Sequence, residues 1–143
     1  MRNVALLSML LTAAAPAPGA VGAPIDAAHP ILGTWKLSMP DGICTETYHF
    51  RKDGTSVVLS GQEVSESAFE ITALPSPLGY YRMVDRITRD NGKPDCAGEI
   101  MKVGKEATTY IRLHPSGSMI IFCDAESLNS CIGPLERIPD QEM

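Results

Sequence analysis

From residue 31 onward the chain alternates apolar and polar positions over short stretches, and each stretch ends in turn residues. Residues 44–50 are the clearest case: Glu46, Tyr48 and Phe50 fall on one face, and Thr45, Thr47 and His49 on the other. A period of two is the mark of a strand with one face covered. Lys52-Asp53-Gly54 follows, and Asp-Gly supplies the positive φ angles that a tight hairpin requires. Residues 56–60 then return as the next strand. Trp35-Lys36-Leu37 comes before this pair and is closed by Met39-Pro40-Asp41-Gly42. Further strands are predicted at residues 68–74, 80–88, 99–103, 108–113, 118–123 and 135–138. The turns between them are residues 75–79, 90–94, 104–106 and 114–117, all carrying Gly or Pro. Residues 63–69 are the one stretch that could pass for a helical turn or two. Eight or nine strands with no alternating helices predict an all-β fold. The expected form is a small antiparallel up-and-down barrel of about eight strands, with a β-sandwich as the alternative.

The first residues follow a different pattern. Arg2 precedes an apolar run over residues 4–11, and a stretch of Ala, Pro and Gly ends near Ala23. This is the layout of a secretory signal peptide. The run is about eight residues and is followed by Pro16 and Pro18, whereas a membrane span needs roughly 20. Cleavage is expected after Gly22 or Ala23. The chain then divides into a signal peptide at 1–22, a flexible lead-in at 23–30, and one domain at 31–143. The short, alanine-rich leader is of bacterial style, and the expected destination is the periplasm or the medium.

Composition narrows the function. The net charge is −5, and losing Arg2 with the leader makes the mature chain one unit more negative. Acidic and basic residues are interspersed, so no basic patch exists to release counterions from nucleic acid or to meet an anionic membrane. The four cysteines, Cys44, Cys96, Cys123 and Cys131, all follow the leader and would mature where disulfides persist. Three pairings are open. Cys123 and Cys131 flank a span that could fold back on itself, which would leave Cys44 with Cys96. Loop entropy then assigns about 2.5 kcal/mol to the short loop and about 4 kcal/mol to the long one. No Cys-x-x-Cys spacing exists, and His49 is the only histidine near Cys44, so no metal or cofactor is expected.

Gly33-Thr34-Trp35 at the start of the first strand resembles the Gly-x-Trp signature of lipocalins and the wider calycin group. The run from Gly33 through Tyr48-His49-Phe50 to Thr55 also resembles small bacterial lipocalin-like domains. In that group the tryptophan closes one end of the barrel, and a basic side chain from the C-terminal region packs across it. The resemblance assigns that partner role to Arg137. The plainer reading of Trp35 is a core aromatic near a strand start.

Catalytic chemistry finds little support. His29, His49 and His114 are scattered, and none belongs to a nucleophile motif or a helical pair. Glu46 and Asp85 lie within strands. Each either faces the interior, where burial would raise its pKa, or faces water, with Arg82 or Arg86 available to pair with Asp85. A non-enzymatic binding module is expected, in one of two forms. The first carries a small apolar ligand in the barrel, with Tyr48, Phe50, Phe69, Tyr81, Met83 and Phe122 as the contact residues. Trp35, Val57, Leu59, Ile71 and Ile111 complete that expected lining. The second inhibits an exported hydrolase, a lysozyme or a protease, through the loop and strand start at residues 74–81. There Leu78, Tyr80 and Tyr81 would be the anchors.

Overall fold

The computed structural model describes residues 22–139. Of the predicted leader, only Gly22 falls among the described residues. Eight strands appear among them: β1 (Gly33–Ser38), β2 (Thr45–Phe50), β3 (Thr55–Ser60), β4 (Glu63–Ile71), β5 (Tyr80–Asp90), β6 (Glu106–Leu113), β7 (Met119–Cys123) and β8 (Cys131–Ile138). Each pairs antiparallel with the next, and β8 pairs with β1 to close the barrel. The up-and-down barrel is therefore the fold, and the sandwich is set aside. Closure removes both sheet edges.

Two of the predicted elements are corrected. Residues 63–69 are not helical: they belong to β4, which is hydrogen-bonded on both sides, to β3 and to β5. Its inward positions Glu63, Ser65, Ser67 and Phe69 are all buried and alternate with less buried neighbours, a period of two that long-range pairing selects over helix. Gly61, with φ +58°, turns the chain sharply enough for Ser60 to pair directly with Glu63. Residues 99–103 form no strand, because β5 pairs directly with β6 through Arg86 and Glu106. The intervening segment folds on itself instead. Asp95 accepts hydrogen bonds from the amides of Ala97 and Glu99 at 2.9 and 2.8 Å, and its own amide donates to the Glu99 carbonyl.

Large aliphatic and aromatic side chains fill one end of the barrel. Trp35, Phe69, Ile111, Ile120 and Leu135 are fully buried there, with Ile31 and Phe50 against them. The Trp35 indole N–H donates to the Ile31 carbonyl at 2.8 Å, and the Arg137 guanidinium lies 4.1 Å from the centre of its ring system. Arg137 also donates to the carbonyls of Pro30, Leu32 and Gly117. Its Nη1 explains Gly33: a Cβ there would stand 2.9 Å from that nitrogen, on a backbone with φ +111°.

Residues 23–30, expected as a flexible lead-in, are held against the barrel. The Ile25 amide donates to the Lys52 carbonyl, and His29 is buried edge-on to Tyr81. His29 Nδ1 accepts from the Ile31 amide, which leaves Nε2–H to donate to the Thr72 carbonyl at 3.0 Å. The lead-in thus acts as a strap over the Trp35 end.

The other end carries both disulfides. Cys44 is joined to Cys96, and Cys123 to Cys131. These are the pairs reached by assigning the short loop first, and they are compatible with maturation in an oxidising compartment.

Candidate binding site in the barrel lumen

The hairpin register decides what faces the interior. Tyr48 pairs with Val58 and Phe50 with Ser56, so β3 turns Ser56, Val58 and Ser60 inward with the aromatic face of β2. Val57 and Leu59, expected in the lining, point outward, and Leu59 is 47% exposed. The same alternation brings Ser65 and Ser67 inward from β4, Met83, Asp85 and Ile87 from β5, and Ala107 and Thr109 from β6. Small side chains at so many inward positions leave volume unfilled.

That volume is a lumen with two lobes. The first, about 410 Å³, is bounded by Tyr48, Phe50, Met83 and Phe122 on its apolar side and by Ser56, Ser67, Thr109 and Asp85 on its polar side. It reaches the surface beside the 124–130 loop, through Asp124, Asn129 and Ser130. The second, about 260 Å³, is bounded by Glu46, Ser60, Glu63, Ser65, Asp95 and Lys105. Tyr48, Val58, Ser67 and Asp85 border both lobes.

Of the expected contact residues, Tyr48, Phe50, Met83 and Phe122 border this lumen. The Phe122 ring meets Tyr48 and Phe50 edge to face, with centroids 5.1 and 6.4 Å away. Phe69 and Ile111 are buried in the core beneath it. Trp35, Ile71 and Tyr81 belong to the closed end, Tyr81 with its ring against His29. The 74–81 segment also departs from expectation. Tyr80 is only 4% exposed, lying beneath the Arg112 guanidinium, whereas Leu74 and Leu78 are 78% and 61% exposed.

The polar groups were the harder part to foresee. The Tyr48 hydroxyl donates to the Glu46 carboxylate, and burial together with that neighbouring charge pushes its phenol above the usual tyrosine range. Desolvation raises the pKa of Asp85, with the Glu106 charge adding to it. Glu63, 4% exposed, is also raised by desolvation, and the charges of Asp90, Asp95 and Glu46 act in the same direction against the Ser65 hydrogen bond. Asp85 lines both lobes and so faces the interior, and among the described residues it makes no ion pair with Arg82 or Arg86. A sequence signal for the serines did exist: counting across the Asp53-Gly54 hairpin from Phe50 reaches Ser56.

Among the described residues, no three His, Cys, Asp or Glu side chains converge closely enough to hold a metal ion. His29, His49 and His114 stay apart from the lumen: His49 bonds the Thr34 hydroxyl at 2.7 Å, and His114 the Ser116 hydroxyl at 2.8 Å. Among the described residues, no helix is long and apolar enough to cross a membrane. No protein-family model, curated protein or solved structure matches the chain.

Proposed function

We propose that this protein is an exported, non-enzymatic binding module of lipocalin-like design, which takes a small molecule into its barrel. The observation that carries this reading is the lumen itself. It lies within a closed barrel, is floored by buried core and sealed at the Trp35 end, and reaches solvent at the opposite end. A barrel of about eight strands has room for one small ligand when its interior positions are small. The sequence leads one to expect a small apolar ligand. The mixed walls favour one with an apolar body against Phe50, Met83 and Phe122 and a polar end toward the serines and carboxylates.

The alternative, inhibition of an exported lysozyme or protease, is weakened by the burial of Tyr80. Of its anchors Leu78, Tyr80 and Tyr81, only Leu78 is exposed, and Tyr81 turns its ring against His29, so the aromatic that usually dominates an interface is missing.

A neutral fluorescent probe tests the binding reading. N-phenylnaphthylamine titrated into the wild type should give saturable enhancement. Val58→Trp and Ser67→Phe, each filling the zone between the two lobes, should abolish it while keeping a cooperative melt. Fluorescence that never saturates, or that both folded variants retain, would overturn the proposal.

A further inference from the structure

The lumen wall is unbalanced in charge. Glu46 from β2, Glu63 from β4, Asp85 from β5 and Asp95 from the 91–105 segment border it, against one cation, Lys105. Lys105 forms no ion pair with them, its Nζ lying 3.8 Å from the Met101 sulfur. Among the described residues the one side-chain ion pair within 4.0 Å is Arg89–Glu66, formed by outward-facing residues. The Asp85 carboxylate meets only its own backbone amide, and no other side chain hydrogen-bonds it among the described residues. Carboxylates held away from bulk water without a counter-charge are costly, and a bound cation offsets that cost.

The arrangement also specifies the kind of cation. A metal ion needs several donors converging on one point, and no such convergence exists among the described residues. These carboxylates instead surround a volume, and Tyr48 and Asp85 border both that volume and the aromatic lobe beside it.

We infer that the lumen selects organic cations, amphipathic amines whose apolar part lies against Phe50, Met83 and Phe122 and whose ammonium group sits among Glu63, Asp85 and Glu46. The inference deepens the binding reading and depends on it. The cavity makes the site, and the carboxylates set its preference. Tyr48 contributes by orienting Glu46, since its hydroxyl donates to that carboxylate and leaves the remaining lone pairs for a ligand.

Competition of three molecules with one chain length separates the two ideas. Decylamine, decanol and decanoate are each used to displace N-phenylnaphthylamine from the wild type, from Asp85→Asn and from Glu63→Gln. Expected is displacement by the amine about tenfold more effective than by the alcohol, with the acid weakest, as a partly buried charge-assisted contact implies. Each variant should narrow the amine–alcohol gap, with each displacement read against the probe affinity measured for that same variant. Equal displacement by all three, or a gap that both variants keep, would overturn the cation preference while sparing the lumen. Failure of the probe to bind at all would overturn the binding reading instead. Preference for the acid would assign selection to Lys105 and sink the inference outright.

Discussion

At the Trp35 end of the barrel, five fully buried apolar side chains and a strap of preceding chain leave little room. Toward the opposite end, Ser60, Ser65, Ser67 and Glu63 are also buried, yet they enclose open volume. One sheet thus builds two interiors. The closed end is held by close packing and by Arg137 over the indole. The lumen end lacks that packing and is stapled by two disulfides instead, one fixing the 91–105 segment and one fixing the 124–130 loop. A cavity that must stay open cannot be stabilised by filling it, so covalent links take over where packing stops.

If this contrast holds, the closed end is the most sensitive to truncation. Trp35→Ala removes the largest core side chain, strands the Ile31 carbonyl and leaves Arg137 without its ring. A loss of about 5 kcal/mol is expected in chemical denaturation. A loss under about 2 kcal/mol would show that the strap, and not the indole, holds this end.

The disulfides probe the other end. The link between Cys44 and Cys96 spans 52 residues, and replacing both cysteines with Ala should cost about 4 kcal/mol. The link between Cys123 and Cys131 spans 8, and its removal should cost about 2.5 kcal/mol. Reduction that leaves the melting temperature unchanged would contradict the stapled-end picture.

The smallest effect concerns pH and separates the ends by charge. Asp85 and Glu63 have folded-state pKa values raised by desolvation. In the window between their ordinary and raised values the folded chain holds protons that the unfolded chain has released, so stability rises as pH falls through it. The groups acting on them are Glu106 for Asp85, and Asp90, Asp95 and Glu46 for Glu63. Asp85→Asn should raise the melting temperature at neutral pH slightly, by less than about 1 kcal/mol of stability, and flatten the mild-acid part of the profile. A variant less stable than the wild type at neutral pH would mean that the carboxylate is paired in solution.

Most of the barrel was legible along the chain. The periods of β1, β2, β5, β6 and β7 and the Gly-containing turns between them are local signals, and the resemblance carried by Gly33-Thr34-Trp35 points to Arg137 as the partner of Trp35 at the closed end. The site was legible in part. Tyr48, Phe50, Met83 and Phe122 stood out because apolar residues on an alternating strand advertise an interior. Val57 and Leu59 misled for the same reason: hydrophobicity suggested an inward face that the hairpin register turned outward. The buried serines carry a signal only through register, as counting across the Asp53-Gly54 hairpin from Phe50 to Ser56 shows.

What the sequence determined by itself is whatever depends on neighbours within a few residues: strand period, hairpin turns, the cysteine spacing that favours a short loop, and the Gly-x-Trp start. Tertiary structure decided the rest. β4 became a strand because β3 and β5 hydrogen-bond to it from both sides, overriding a local pattern that allowed a helical turn. Residues 99–103 lost their strand because the partners they would need were already taken. Asp85, Glu63 and Glu46 came to face one volume only when eight strands closed, since three residues on three strands share no local signal. Whether a barrel is filled or open follows from the sum of its inward side chains, and that sum exists only once register has assigned each residue a side.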